Sequence, residues 1–164
     1  MSTITEYVDV VSVREAKEYL RIDDDITEND VEIEGLINSA CSLIENTTQV
    51  FLKPQNKTYF ENSEPCIRVY AYPITAVVEP TEATDYDKTE KQLYSNYEIL
   101  NSTVEKIVLT VGHSDTDNIK PLFKTAIFET VRLWFYGSET ETVNKGVIPN
   151  TVMAMISSEK RFIF

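Results

Sequence analysis

From residue 27 to residue 48 the apolar positions Ile33, Leu36, Ile37, Ala40, Cys41 and Ile44 recur at i, i+3, i+4, i+7, i+8 and i+11. That spacing is one face of a 3.6-residue period and predicts a long amphipathic helix. Thr27 is placed to accept from first-turn N–H groups. Glu28, Asp30, Glu32 and Glu34 bring negative charge to the positive end of the helix dipole. A shorter helix precedes it. Ser12 with Glu15 three positions on makes a capping box, and Val13, Ala16, Lys17 and Leu20 share a stripe with Tyr19 beside it. The run Ile22, Asp23, Asp24, Asp25 stops this helix, because adjacent aspartates favour turns and caps. Residues 1–11 form a polar lead-in.

Past Pro54 the apolar period falls from 3.6 to 2. Strands are expected at 57–61, 66–72, 74–79, 93–100 and 104–111. Pro73 marks a turn or an edge position. The polar stretch 81–91 reads as a loop or an open hairpin end. The clearest strand is the last, where Ile107, Leu109 and Val111 share one face and Gly112 ends it. Helical spacing returns after Pro121, with Leu122, Phe123, Ala126, Ile127, Thr130, Val131 and Trp134 forming a wide apolar stripe up to Tyr136. Gly137 is the stop, and 138–146 is a polar loop. Pro149 opens a short final helix with Val152, Met153 and Ile156 along one side. Segregated helices and strands imply an α+β fold. We expect a bundle of two long and two short helices, the long pair packed on each other, with an inserted small antiparallel β unit. The expected organisation is a single domain, 1–164. Its helical part is 12–50 and 120–157, its β insertion 57–112, and its C-terminal tail 158–164.

Composition adds bounds. A chain of 164 residues with 42% hydrophobic and 26% charged side chains fits one globular domain with a real core. No apolar run approaches the roughly 20 residues that cross a bilayer, and the first residues lack a basic and apolar leader. No membrane partner or secretory route is expected. Two cysteines, Cys41 and Cys66, make no disulfide framework and fit a reducing, intracellular setting. The net charge is −12, divided as −9 over residues 1–50, −5 over 51–119 and +2 over 120–164. An acidic chain is poorly made to grip nucleic acid by its phosphates. Its uneven charge favours head-to-tail contact between copies, and the plainer reading is a solvated acidic surface.

The chain is poor in catalytic constellations. His113 is the one histidine, in Val111-Gly-His-Ser-Asp-Thr-Asp117, where its possible partners are sequence neighbours in a loop and no nucleophile elbow is present. Asp23, Asp24, Asp25, Glu28 and Asp30 lack the central glycine of a calcium loop and read as cap and dipole partners. Four glycines assemble no phosphate-cradling loop. Two cysteines and one histidine cannot complete a zinc site. No catalytic residue, cofactor or metal is therefore expected. Tyr59, Phe60, Tyr70, Tyr72, Tyr94 and Tyr97 could stack bases, but the segment is acidic, so core packing or a protein interface accounts for them better. The end Lys160, Arg161, Phe162, Ile163, Phe164 is an apolar tip after a basic pair, which either folds back on the core or inserts into a partner; the basic pair and the short helix before it favour a partner.

Three places resemble the head–tail connector family of tailed bacteriophages, also called head-completion or ring adaptor proteins. Residues 11–25, with Leu20-Arg-Ile-Asp23, lead into the long helix and Ile44-Glu-Asn-Thr-Thr48. They resemble the family's opening helix, LRID turn and IE-x-x-T run. Tyr72-Pro-Ile-Thr-Ala-Val-Val78 is similar to its proline-led strand pair. Val111-Gly112, Ile119-Lys-Pro-Leu-Phe-Lys-Thr-Ala-Ile127, Ile148-Pro-Asn-Thr-Val-Met-Ala-Met-Ile156 and Arg161 resemble its closing pattern. His113 stands where the family has an aromatic, and the strand block is long for the family. The resemblance implies a non-enzymatic structural virion protein, assembled in the host cytoplasm. It would form a ring, commonly of twelve copies, between portal and tail. The ring would extend the DNA channel, with double-stranded DNA passing through without specific binding, and dock the next tail or stopper protein. The C-terminal part of members tends to engage the portal, which makes Lys160, Arg161, Phe162, Ile163 and Phe164 portal-contact candidates. Other readings are a tail terminator or stopper, and less favoured a small hydrolase using His113 and Asp115. Glu28, Glu32, Glu34, Asn38 and Glu45, with the aspartate turn, form an acidic exterior facing the channel or the neighbouring copy. We expect Asp23, Asp24, Asp25, Glu28 and Glu32 to line the channel.

Overall fold

The computed structural model describes residues 7, 9–60, 66–79, 86–94, 97–102, 106–137 and 147–160. By backbone contact the chain forms two compact units, Met1–Thr47 with Thr116–Ser158, and Thr48–Asp115 with Glu159–Phe164. The described elements are four α-helices, two single-turn 3-10 helices (Thr116–Asn118 and Ser157–Glu159) and six antiparallel strands, an α+β fold.

In the helical unit α1 spans Val13–Leu20, α2 Asp30–Thr48, α3 Pro121–Tyr136 and α4 Asn150–Ile156. The capping box of α1 forms as expected. Glu15 N donates to Ser12 Oγ at 3.2 Å, and Ser12 N donates to Glu15 Oε2 at 2.8 Å. Its stop is different from the expected one. Arg21 takes a left-handed conformation, φ 59° and ψ 40°; its N–H bonds Glu18 O, and Ile22 N bonds Lys17 O. This paired 5→2 and 6→1 closure ends the helix through its own carbonyls before the aspartates begin. The long helix also starts later than Thr27. Asp30 N bonds Thr27 O and Ile33 N bonds Asn29 O, so Asn29 takes the N-cap position, for which asparagine is well suited.

The apolar stripe of α2 lies inside as the spacing predicts: Ile33, Ile37, Ala40, Cys41 and Ile44 are completely buried. Phe123, Ala126, Ile127, Val131 and Trp134 of α3, and Val152 and Ile156 of α4, are buried too. The lead-in is not a polar arm. Tyr7, Val10 and Val11 are buried, and Tyr7 is fastened to α2 by its N–H to Asn38 Oδ1 (2.9 Å) and its hydroxyl to Glu45 Oε2 (2.5 Å). Helix α3 comes within close backbone reach of α4 and of α1. Tyr19 explains the second contact: its hydroxyl donates to Glu129 Oε2 at 2.9 Å and its ring stacks on Phe128 at 5.2 Å.

The second unit holds β1 Gln55–Phe60, β2 Cys66–Val69, β3 Ile74–Glu79, β4 Tyr86–Tyr94, β5 Tyr97–Ser102 and β6 Lys106–Val111. They form two three-stranded sheets, ordered β1-β6-β3 and β2-β5-β4. Central strand β6 pairs Ile107 with Tyr59 and Val111 with Gln55. Its buried residues Ile107, Leu109 and Val111 join Phe51, Val69 and Ala71 in the unit's core. Part of the expected 81–91 loop is strand: β4 is built from polar residues and is defined by its ladder to β5, so apolar alternation could not reveal it. The expected 66–72 strand ends at Val69, and Tyr72 instead makes a parallel bridge with Val50. Beyond β6, Gly112 has φ +111°, and a Cβ there would lie 2.0 Å from the Lys53 carbonyl oxygen. Glycine is required by both the torsion and the space. The expected 138–146 loop lies outside the described residues.

Candidate assembly surfaces

The acidic turn is built around one buried cation. Lys17 is 2% exposed; its Nζ donates to Asp24 O at 2.9 Å and lies 3.0 Å from Asp30 Oδ1. Ile26 N closes the turn on Asp23 O. The Lys17 charge thus offsets Asp30. Asp23, Asp24, Asp25, Glu28 and Glu32 all remain at the surface. These five expected site residues are brought together along the turn and the start of α2. Of the rest of the expected acidic exterior, Glu34 is partly exposed, whereas Asn38 and Glu45 are turned to the lead-in. Glu45 is 3% exposed and accepts the Tyr7 hydroxyl, and Asn38 is half-buried under the Tyr7 N–H. Position 45 faces the lead-in because Tyr7 is bonded to α2 at both Asn38 and Glu45. Burial, then the bond to Glu45, raises the Tyr7 phenol far above its ordinary range.

The C-terminal candidates are only partly described. Lys160 is half-buried, and Arg161, Phe162, Ile163 and Phe164 lie outside the described residues. His113 stands edge-on to Tyr72 with ring centroids 6.4 Å apart, and its backbone N–H bonds Phe51 O. Burial lowers its pKa, the opposite of what a partnering carboxylate does. Among the described residues no group of three or more His, Cys, Asp or Glu side chains could hold a metal ion, and no helix is long and apolar enough to cross a membrane. Tyr59 packs against the β core, where burial pushes its phenol up to about 12. Phe60 and Tyr72 are exposed, 65% and 38%. The side chains of Tyr94 and Tyr97 lie outside those described.

One surface has no counterpart in the sequence reading. Glu18, Tyr19, Leu20, Arg21, Arg132 and Tyr136 line a groove where the C-terminal ends of α1 and α3 meet. The Tyr136 hydroxyl donates to Leu20 O at 2.7 Å. Arg132 is held by both Glu129 oxygens, at 2.9 and 2.6 Å, and that pairing followed by the Tyr19 bond keeps Glu129 below the usual carboxylate range. The groove's cross-helix partners are separated by 110 or more positions in the chain, beyond any spacing rule. The one local signal was Tyr19, lying just off the α1 stripe.

No family model matches the sequence, and no curated protein does. Solved structures do match in fold. A chain from the neck of an empty gene transfer agent (GTA) particle computed with C6 symmetry superposes with a TM-score of 0.72 at 14% identity, covering 100% of this chain and 95% of that one. A chain from the virion of a native GTA particle gives 0.69 at 15% identity, with 94% and 91% covered. A chain from the neck of a native GTA particle computed with C12 symmetry gives 0.68 at 13% identity, with 100% and 94% covered. Over its whole length, then, the chain shares the fold of chains from these phage-like particles and necks, in accord with its sequence resemblance to the head–tail connectors of tailed phages.

Proposed function

We propose that this chain is a structural virion protein of the neck, a head–tail connector that assembles as a ring, of twelve copies, between portal and tail. The observation that carries the reading is the end-to-end fold likeness to chains solved in neck and virion assemblies, two of them in necks computed with C6 and C12 symmetry. In this role the ring extends the DNA channel and docks the next tail or stopper protein. Portal attachment falls to the C-terminal segment Lys160, Arg161, Phe162, Ile163 and Phe164, a basic pair followed by an apolar tip. The exposed carboxylates at Asp23, Asp24, Asp25, Glu28 and Glu32 serve the channel wall or the contact with the next copy. An acidic wall repels duplex DNA and lets it slide, where a basic wall would hold it. The function is assembly, with no chemical step.

The test mixes the purified protein with its portal and images the product by negative stain. A ring of density below the portal is expected. A chain ending at residue 159 is expected to fold normally and to bind the portal more weakly. Absence of a ring under every condition rejects the ring reading, and unchanged binding of the shortened chain rejects the tail's role.

A further inference from the structure

The sheet β1-β6-β3 has two unlike faces. One packs Tyr59, Ile74, Val77, Ile107, Leu109 and Val111 into the core of its unit. The other is open: Asn56, Thr58 and Phe60 are the exposed positions of β1, paired with Thr110, Val108 and Lys106 of β6. Phe60 is 65% exposed. Polar groups of this face are engaged within it. Thr110 Oγ1 donates to Asn56 Oδ1 at 2.9 Å, Thr75 Oγ1 donates to Thr110 O at 3.1 Å, and Lys106 Nζ lies 2.9 Å from Glu79 Oε2. Lys57 alternates to the inner side, where its Nζ stands over the Phe51 ring at 4.8 Å. The open face thus carries no net charge, within a segment of net −5. Covering it leaves these groups bonded, which removes most of the desolvation cost of burying polar surface. Engaged polar groups, an exposed aromatic and no unbalanced charge are the make-up of an interface centre.

A second surface has the same character. The outward positions of α2 include Val31, Gly35, Ser39 and Ser42, at i, i+4, i+8 and i+11. Val31 is 82% exposed, and it and Phe60 are the two most exposed large apolar side chains among the described residues. Ser39 Oγ donates back to Gly35 O at 2.8 Å. These four positions hold no charge, although residues 1–50 carry −9.

The two surfaces fit each other. Copies of net charge −12 repel wherever their carboxylates meet, so their contact has to be made on surfaces without charge. From Val31 to Ser42 the helix runs about 17 Å, and β1 from Gln55 to Phe60 runs about 17 Å as well. The absent side chain at Gly35 leaves a seat between Val31 and Ser39, since a Cβ there would meet nothing within 4 Å. Phe60 is the aromatic that stands on the sheet face to fill it. Because the surfaces differ and lie in different units, a contact between them repeats from copy to copy. We infer that the open sheet face of one copy receives the outer face of α2 of the next, with Phe60 seated at Gly35. The inference rests on the ring reading above and names the contact between its copies, leaving the carboxylates of the acidic turn to the channel wall.

The test uses the full chain with its portal and follows ring formation by negative stain over a concentration series. Gly35→Gln should melt no lower than wild type, because the free chain has room for the side chain and glycine is the poorer helix former. It should nevertheless need about tenfold more protein, or more, to form rings. Phe60→Asp should melt within about 4 °C of wild type, the position being exposed, and should lose rings to the same degree. The occupant is read separately by oxidising cysteine variants on the portal. Gly35→Cys mixed with Phe60→Cys should yield a disulfide-linked pair, and neither variant alone should link to itself beyond the wild-type background. Normal rings from Gly35→Gln or from Phe60→Asp overturn the inference and leave the ring reading standing; if such rings no longer take up the next tail protein, the sheet face belongs to that partner instead. A mixture that yields no linked pair, or Phe60→Cys linking to itself, overturns it in the same way. A wild-type chain that never forms rings overturns both.

Discussion

Gly112 is the residue whose identity the backbone dictates most completely. Its φ of +111° is open to glycine, and the space where a Cβ would go is occupied by the Lys53 carbonyl, 2.0 Å away. Gly112→Ala must therefore displace the backbone that ends β6, and we expect a loss of about 3 kcal/mol or more, read as a lowered urea midpoint with an unchanged slope. Tyr59 makes a pH prediction. Burial raises its pKa from 10.0 to about 12, so the folded state holds the phenolic proton more tightly than the unfolded chain. Its contribution to stability is complete below the unfolded value of 10.0 and is lost as pH rises from there to about 12. Tyr7 acts in the same direction. Tyrosinate absorbance should thus lag the ordinary tyrosine titration and then rise together with unfolding. Tyr59→Phe should flatten the alkaline fall in stability, and an unchanged alkaline profile for that variant would contradict the assignment.

At the scale of elements, what the sequence disclosed depended on whether an element was held by an apolar stripe or by partners far away in the chain. Helix α2 and strand β6 were legible because Ile33 to Ile44 and Ile107 to Val111 carry their periods in plain view. The helix begins three residues after the expected Thr27 because the intervening turn uses backbone bonds, Ile26 to Asp23 and Asp30 to Thr27, that leave no apolar trace. Strand β4 was missed for a related reason: its ladder to β5 needs no hydrophobic alternation. The acidic turn was legible as charge, but the groove was not, since Tyr136 meets Leu20 across 116 positions. The outer face of α2 makes its own prediction. Gly35 is exposed, and a Cβ there would meet nothing within 4 Å. Gly35→Ala should stabilise the helix by up to about 1 kcal/mol and raise Tm by roughly 2–4 °C, measured by thermal melting of the free protein. A lower Tm would show that this face is not open.

For the whole molecule, the two units are assembled from the chain in different ways. The helical unit needs both ends, Met1–Thr47 and Thr116–Ser158, whereas the described strands all fall between Gln55 and Val111. That partition has a consequence for the order of events during synthesis. Chains emerge N-terminus first, and contiguous units close as they appear. All six described strands leave the ribosome before the first residue of α3, which begins at Pro121. Until then the stripe of Ile33, Ile37 and Ile44 lacks Phe123, Val131 and Trp134, residues that share its unit and are buried in the finished fold. A nascent chain whose residue 115 has just cleared the ribosome should therefore carry the paired strands, still without the unit's terminal piece Glu159–Phe164, beside a bare apolar helix face. That interval is when the protein most needs a chaperone, or most readily meets another unfinished copy of itself.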